Sequence, residues 1–449
     1  MGQAHRFSGA GGPYEGLTTI RRGKVDWTGV ARFVPKELSA PLSWRKPRRV
    51  FVASMSDPFH SSIPDEDIDR IYAAMVLADW HTYQLLTKRP TRMMDYTLSP
   101  NRAFLVQRAA DALRVDMAMS DVQEEWRPVS SHTKYEVSNY GKVRRGGREL
   151  TLVEHGGGYK QVALSNGSVK TVLVHRLVLE AFDRPPRDKE EGAHSNGRRW
   201  DNRIANLRWA TKTENMQDAA RQGTAGVWMK SQATLSTEEV DDIRESRARG
   251  EKLSVVAARF GITKQQVSEV ALGKTFKKPQ LVWPLPRLWL GVSVEDQKTA
   301  DERIPLLLQT PAAIRFVSYE PALATVDFRG IPANFEGAKG DYLDALSGCE
   351  YYGQDEPDGA EPTSPVARRA RLDLVIVGGE SSPGARPFSE EWASSVVKQC
   401  RDAGVAAFIK QMGSNFYRGG ERVRLADKKG GDMSEWSEDL RIRELPEIR

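Results

Sequence analysis

A chain of 449 residues, 39% of them hydrophobic, can hold two or three domains at roughly 150 residues each, and no apolar run approaches the ~20 residues a membrane span needs. Two cysteines, Cys349 and Cys400, exclude a disulfide framework or a four-cysteine zinc site, and Met1 to Gly12 lacks the apolar core of a signal peptide, so a cytoplasmic setting is expected. The net charge of +6 is unevenly spread: residues 122–280 hold about 28 Lys and Arg against about 20 Asp and Glu, which suggests a polyanionic partner for that segment.

In chain order, Arg49 to Met55 (RVFVASM) reads as a buried strand, Asp65 to Leu77 as a helix, His81 to Leu86 as a strand and Asn101 to Val115 as a helix. The style then changes. Glu124 to about Leu164 is Gly-rich with short strand-like pieces. Val172 to Gln222 holds a helix, an Asn-rich loop and a second helix, and Leu235 to Lys278 is helical. From Leu288 the first style returns, with strands at Leu288 to Val292, Ile314 to Ser318, Leu372 to Val377 and Ala406 to Ile409. Helices are expected at Lys298 to Gln309 and Phe388 to Ala403. Pro332 to Arg369 reads as a long loop, and the tail after Asn415 is charged and poorly periodic. Repeated βα units imply a parallel sheet, open or closed into a barrel. The outer pieces suit one barrel-like domain together and not separately, since such a fold typically needs ~250 residues.

In the middle segment, Trp126-Arg127-Pro128-Val129 and Tyr135-Glu136-Val137-Ser138-Asn139-Tyr140-Gly141-Lys142-Val143-Arg144 resemble the nuclease-associated modular motif that precedes HNH domains in phage and intron homing endonucleases. Val174-His175-Arg176-Leu177-Val178, Ala181-Phe182, His194-Ser195-Asn196-Gly197, Asp201-Asn202, Asn206-Leu207-Arg208-Trp209-Ala210-Thr211 and Glu214-Asn215 resemble the HNH domain itself. The resemblance covers about 95 residues, with its motifs in the family's order. It implies an α+β module of the ββα-metal type that hydrolyses phosphodiester bonds of double-stranded DNA. His194 is then the general base and Asn206 the residue that braces its loop. Asn215 is a ligand to Mg²⁺ or Mn²⁺, cations that take oxygen donors and keep several waters. His175 is expected to pack or hydrogen-bond near the site, and Trp200 and Trp209 to pack in the core.

One position departs from the family. Many relatives carry Asp or Asn immediately before the histidine as a second metal ligand, and here Ala193 stands there. Asn196 or a water is a candidate substitute. The alternative is a DNA-binding protein with a degenerate nuclease.

Leu235 to Glu239 opens a helix, Leu253 to Phe260 is a second, Gly261-Ile262-Thr263 a turn, and Lys264 to Val270 a third. This is a helix-turn-helix pattern, and it resembles the small all-α unit that often ends such endonucleases. Lys264, Gln265 and Ser268 are expected to face the major groove, with Lys274, Lys277 and Lys278 on phosphates.

The outer pieces resemble an uncharacterised group of phage and bacterial α/β proteins, through Arg48 to His60, Gln84 to Arg89, Leu288 to Glu295, Ala312 to Pro321, Asp373 to Arg386 and Phe408 to Gly413. That resemblance implies a phage or prophage product in a bacterial cell. Full-length members carry a three-cysteine, radical-SAM-like motif near the N-terminus. This chain starts downstream of it, so no iron–sulfur cluster is expected. Polar residues gather after the predicted strands: Asp57 and His60, Lys88 and Arg89, Glu295, Glu320, Glu380 with Arg386, and Lys410 with Gln411. Such positions converge at one end of a parallel α/β fold, so they mark a candidate host site of unassigned reaction. An α/β enzyme with a passenger insert is therefore a further reading. The expected layout is host 1–121 and 281–449, modular motif 122–170, HNH nuclease 171–225 and helix-turn-helix 231–280. Oligomeric state is open, with a monomer sufficient.

Overall fold

The computed structural model describes residues 6, 8, 14–21, 23–53, 56–99, 102–221, 243, 246–247, 250–260, 262–271, 281–335, 337–352 and 365–447. The chain forms two compact units, one of residues 1–68, 78–99 and 283–449, the other of residues 69–77 and 100–282. Among the described residues no helix is long and apolar enough to cross a membrane.

The first unit is built on six strands, in the spatial order Arg49–Val52, Thr82–Thr87, Leu288–Val294, Ile314–Tyr319, Leu374–Gly378 and Ala406–Gln411. All neighbours are parallel. Spatial order equals chain order, so every crossover steps the same way, as in a barrel, but the first and last strands do not pair and the sheet is open. Leu288–Val294 is buried along its whole length, as a central strand covered on both faces must be. The outer strand Ala406–Gln411 is capped by the C-terminal segment: Ile409 N donates to Ile442 O at 2.9 Å and Glu444 N to Ala407 O at 3.0 Å, which removes an open sheet edge. The second and third strands pair directly, with Tyr83 opposite Leu288, although residues 100–282 lie between them in sequence.

Two stretches differ from the sequence expectation. Pro90–Leu98 is a helix with proline in its first turn, a position where the missing N–H costs nothing. The stretch 332–369 is not simply a loop: Ile331–Pro332, Tyr342–Asp344, Cys349–Tyr351 and Ala367–Arg368 form a small antiparallel sheet.

In the second unit, helix α1 (Arg102–Met119) is followed by two antiparallel sheets. One comprises Trp126–Val129, His132–Ser138, Val143–Arg145 and Arg148–Glu149; the other comprises Val153–His155, Tyr159–Ser165 and Val169–Leu173. Helix α2 (Val174–Phe182) leads to strand β1 (Glu190–His194), the antiparallel strand β2 (Leu207–Thr211) and helix α3 (Lys212–Arg221). One core runs through these elements and contains Val129, Val137, Val143, Leu164, Leu177 and Trp209. Residues of the expected modular motif and of the expected nuclease thus share a single core, and the expected boundary at residue 121 falls inside this unit. Helices α4 (Leu253–Phe260) and α5 (Lys264–Ala271) close a small separate core with Ile243, Val256, Val267 and Val270.

Candidate functional site

The β1–β2 hairpin followed by α3 positions the residues singled out in the sequence. His194 ends β1, paired with Leu207, and only 7% of it is exposed. A tight loop, 195–206, returns the chain to β2. Asn206 is fully buried and braces that loop three ways. Its side-chain oxygen accepts from Asn196 N at 2.9 Å, its amide nitrogen donates to Asp201 O at 2.7 Å, and its carbonyl accepts from Ser195 N at 2.8 Å. Asp201 is a second node. It accepts from Asn196 Nδ2 at 2.8 Å and from the Arg203 guanidinium at 2.7 and 2.8 Å, and Arg203 also pairs with Asp116 of α1 at 2.8 Å. Burial pushes the Asp201 carboxyl up, but Arg203 outweighs it and holds the group below the ordinary carboxylate range.

The two faces of β1 carry different chemistry. Gly192 and His194 share one face, because a Cβ at Gly192 would lie 2.4 Å from the His175 ring and that ring meets His194 edge-on at 5.1 Å. Tyr159 packs on both imidazoles, at 5.4 and 5.8 Å, and Arg199 lies over Tyr159. On the other face, by strand alternation, stand Glu191 and Ala193. Asn215 of α3 comes to that face, with its amide nitrogen 3.4 Å from the Glu191 carboxylate. The structure therefore brings His194 and Asn206 into one loop and sets Asn215 across the strand from His194.

Asn196, the candidate substitute for the missing ligand at Ala193, is fully buried, and its side-chain oxygen accepts from Arg198 N at 2.9 Å. It is committed to the turn. Glu191 is the oxygen donor beside Asn215, a residue that no motif in the sequence singles out. Trp209 is buried and donates to Arg184 O at 2.7 Å. Trp200, expected to pack, does not: it is 56% exposed, because the loop's inward positions are filled by asparagines.

Burial lowers the His194 pKa to about 4, opposed by Asn202 and Asp201 and reinforced by Arg199. Burial, then the neighbouring charges of His194 and Arg176, lowers His175 to about 3. Both rings are neutral at neutral pH. An unfolded histidine titrates near 6.5, so between about pH 6.5 and about pH 4 the unfolded chain binds more protons than the folded one. The stability these rings contribute is complete above that window and lost as pH falls through it, each tenfold difference in proton affinity being worth about 1.4 kcal/mol. The urea midpoint of the second unit is expected to fall between about pH 7 and about pH 5 in the wild type, and to fall less in His194→Asn. Equal slopes would contradict the burial of a neutral His194.

The helix-turn-helix residues are placed in part. Thr263 and Gln266 cap α5 reciprocally, Thr263 N donating to Gln266 Oε1 at 2.7 Å and Gln266 N to Thr263 Oγ1 at 3.2 Å. Lys264 and Gln265 are exposed and Ser268 half-buried; Gln265 donates to Glu269 at 3.0 Å. Lys274, Lys277, Lys278 and the expected helix from Leu235 lie outside the described residues.

In the first unit, the ten host-site residues fall at or beyond the C-terminal ends of the parallel strands, and eight of them form four ion pairs. Arg89 meets Asp57 at 2.8 Å, Lys88 meets Glu295, Lys410 meets Glu320 at 3.1 Å and Arg386 meets Glu380 at 2.5 Å. In each pair the carboxylate is the more buried partner and the cation reaches outward. His60 instead meets Ser62 at 2.7 Å.

Comparison with known proteins adds to this geometry. Residues 124–165 match the NUMOD4 motif. Two uncharacterized HNH endonucleases of Acanthamoeba polyphaga mimivirus are 27% identical over 37% of this chain and 26% identical over 35% of it, matching 42% and 47% of their own lengths. The DNA endonuclease I-HmuI of Bacillus phage SP01 is 34% identical over 23% of this chain and 62% of its own. A solved structure titled as DNA binding and cleavage by the HNH homing endonuclease I-HmuI is 24% identical, with a TM-score of 0.22, covering 33% of this chain and 90% of that one. Part of the chain is therefore homologous to HNH endonucleases, and the chain spans less than half the length of the two viral relatives. Residues 2–137 and 187–438 match the model of one further family, well over half of the sequence, and the chain belongs to that family, described as protein of unknown function (DUF5131).

Proposed function

We propose that residues 100–282 form a metal-dependent DNA endonuclease of homing type, carried within an α/β protein. The observation that carries this reading is the buried His194 at the loop end of strand β1, beside a loop braced by Asn206 and followed by a helix. Homology over part of the chain to proteins named as HNH endonucleases supports it.

Phosphodiester hydrolysis needs a base for the attacking water and a stabiliser for charge on the phosphate and the leaving oxygen. His194, neutral at working pH, accepts the water proton as the oxygen attacks phosphorus and the P–O bond to the leaving oxygen breaks. Asn206 and Asp201 keep the loop from shifting the imidazole. Among the described residues no group of three His, Cys, Asp or Glu side chains could hold a metal ion. The Glu191 carboxylate and the Asn215 amide, which here donates its nitrogen to that carboxylate, would with the amide turned each supply one oxygen to a hard cation such as Mg²⁺, which takes few protein ligands and retains water. When bound, such a cation neutralises charge on the phosphate. The expected partner is double-stranded DNA, with α5 reading it through Lys264 and Gln265.

Titration of cleavage with Mg²⁺ tests the cation assignment. Glu191→Ala and Asn215→Ala are expected to raise the Mg²⁺ concentration at half-maximal cleavage, and Ala193→Asp to lower it. Unmoved titrations in all three would place the cation elsewhere.

Ala193 favours a second reading, a DNA-binding protein whose nuclease has decayed, since a buried methyl group cannot ligate a metal. For the α/β unit, the ion-paired C-terminal end of the sheet is the proposed ligand site, as is general in parallel α/β folds.

A further inference from the structure

The nuclease reading gives His194 a role as base but leaves open which ring nitrogen carries the proton. The contacts of Asn202 answer this. Asn202 is almost fully buried in the loop, and its side chain faces His194 Nε2 with its oxygen at 3.3 Å. Its amide nitrogen is directed to the Trp200 carbonyl at 3.4 Å, which sets the orientation of the amide. A carboxamide oxygen only accepts. The ring nitrogen facing it must be the protonated one, and the lone pair then sits on Nδ1. Among the described residues Nδ1 takes no hydrogen bond from the protein.

Asn202 is itself held by a residue distant in sequence. Gly141, at φ +80° in the turn of the NUMOD4 segment, presses against it: a Cβ there would lie 2.5 Å from Asn202 Cβ and 2.9 Å from its carbonyl oxygen. The same turn accepts a backbone hydrogen bond from the loop, Ile204 N to Asn139 O at 2.9 Å. Asn139 is in turn fixed by Glu125 N at 2.9 Å and by its own donation to Gln123 O at 2.9 Å. Asn202 cannot move towards the turn, and a larger residue at position 141 would push it towards or past the imidazole.

We propose that Asn202 is a positioning residue that locks His194 in the Nε2-protonated form with Nδ1 as the basic nitrogen, and that the Ser138–Gly141 turn of the preceding module holds Asn202 in place. The catalytic part of this assignment rests on the nuclease reading, whereas the tautomer does not. A module that abuts the loop of the base thereby becomes part of the active site's construction. Its glycine is required by close approach as well as by the left-handed turn.

The test is nitrogen-15 NMR of the full-length, metal-free protein labelled at its seven histidines, with His194 assigned by the signal lost in His194→Ala. The wild type is expected to show a single tautomer, protonated at Nε2. Asn202→Asp keeps an acceptor and should preserve that tautomer. It should also raise the His194 titration midpoint by about one pH unit or more, since a carboxylate beside an imidazole favours its charged form. The other groups facing this ring, His175, Tyr159, Arg199 and Asp201, are unchanged in that variant. Asn202→Leu removes the acceptor and should populate the Nδ1-protonated form. Single-turnover cleavage should slow roughly tenfold, a part of the effect of a general base, with DNA affinity retained. Gly141→Ala should mix the tautomers in the same way. An Nδ1-protonated wild type overturns the assignment, as does an unmoved midpoint in Asn202→Asp. An unaltered tautomer in folded Gly141→Ala overturns the role of the turn. The expected tautomer in a chain that cleaves no DNA overturns the nuclease reading and leaves the assignment standing.

Discussion

His194→Ala is expected to slow single-turnover cleavage of duplex DNA by roughly 10²–10⁴-fold, the usual contribution of a positioned general base, while equilibrium binding to the same duplex stays within about twofold. The separation follows from the geometry. The imidazole is buried against His175 and Tyr159 and contributes little surface to a DNA interface, so its loss removes the proton acceptor and little contact area. Single-turnover rates with saturating protein, beside a filter-binding isotherm, distinguish the two. Equal rates for mutant and wild type would remove His194 from the chemistry. A parallel collapse of rate and affinity would make it a folding residue, and His194→Gln, which retains a polar side chain of similar size, would separate a packing loss from a chemical one.

The second large effect lies in the α/β unit. Gly291 sits in the middle of the fully buried strand Leu288–Val294, opposite Phe316. A Cβ at Gly291 would fall 2.5 to 2.6 Å from three atoms of the Phe316 ring. That ring is itself fully buried, in a core with Trp289, Ile314 and Leu374, and has no room to retreat. Gly291→Val should therefore destabilise the unit at or above the upper end of the roughly 1–3 kcal/mol typical of overpacking, a large share of a total stability of about 5–15 kcal/mol. Adding Phe316→Leu to Gly291→Ala should recover part of the loss, as contacting residues couple. Urea unfolding of the single and double variants beside the wild type measures this. An unchanged midpoint in Gly291→Val, or losses that simply add, would mean that the two strands do not pack as described.

Legibility from sequence follows physical locality. Leu288–Val294 and Asp65–Leu77 are readable because a strand buried on both faces shows as a continuous apolar run and a helix of several turns carries its own periodicity. Pro90–Leu98 escapes such a reading because Arg89-Pro90 looks like a break, although proline suits a first helical turn. The strands Tyr342–Asp344 and Cys349–Tyr351 escape it because three residues are too few to show alternation. In the candidate site, the motif order around His194, Asn206 and Asn215 is visible, as is the gap at Ala193. What is not visible depends on contacts between distant parts of the chain. Asn202 owes its placement to Gly141, Glu191 meets Asn215 only once β1 and α3 are packed, and Arg203 finds Asp116 on α1. Trp200 misleads because an exposed tryptophan in a polar loop looks, in sequence, like one that packs. The host residues Asp57, Lys88, Arg89, Glu295, Glu320, Glu380, Arg386 and Lys410 are each placed by the end of a strand, but their pairing into four salt bridges is set by which strands become neighbours.

The proposed endonuclease is expected to hydrolyse DNA only with a divalent cation and with His194 in place. Conversion of supercoiled plasmid to nicked or linear form by the purified protein measures this. Nicked or linear product is expected with Mg²⁺ or Mn²⁺, and neither with EDTA nor in His194→Ala. Plasmid that stays supercoiled with either metal while the protein binds the same DNA would contradict it, and would leave a DNA-binding protein whose nuclease Ala193 has silenced.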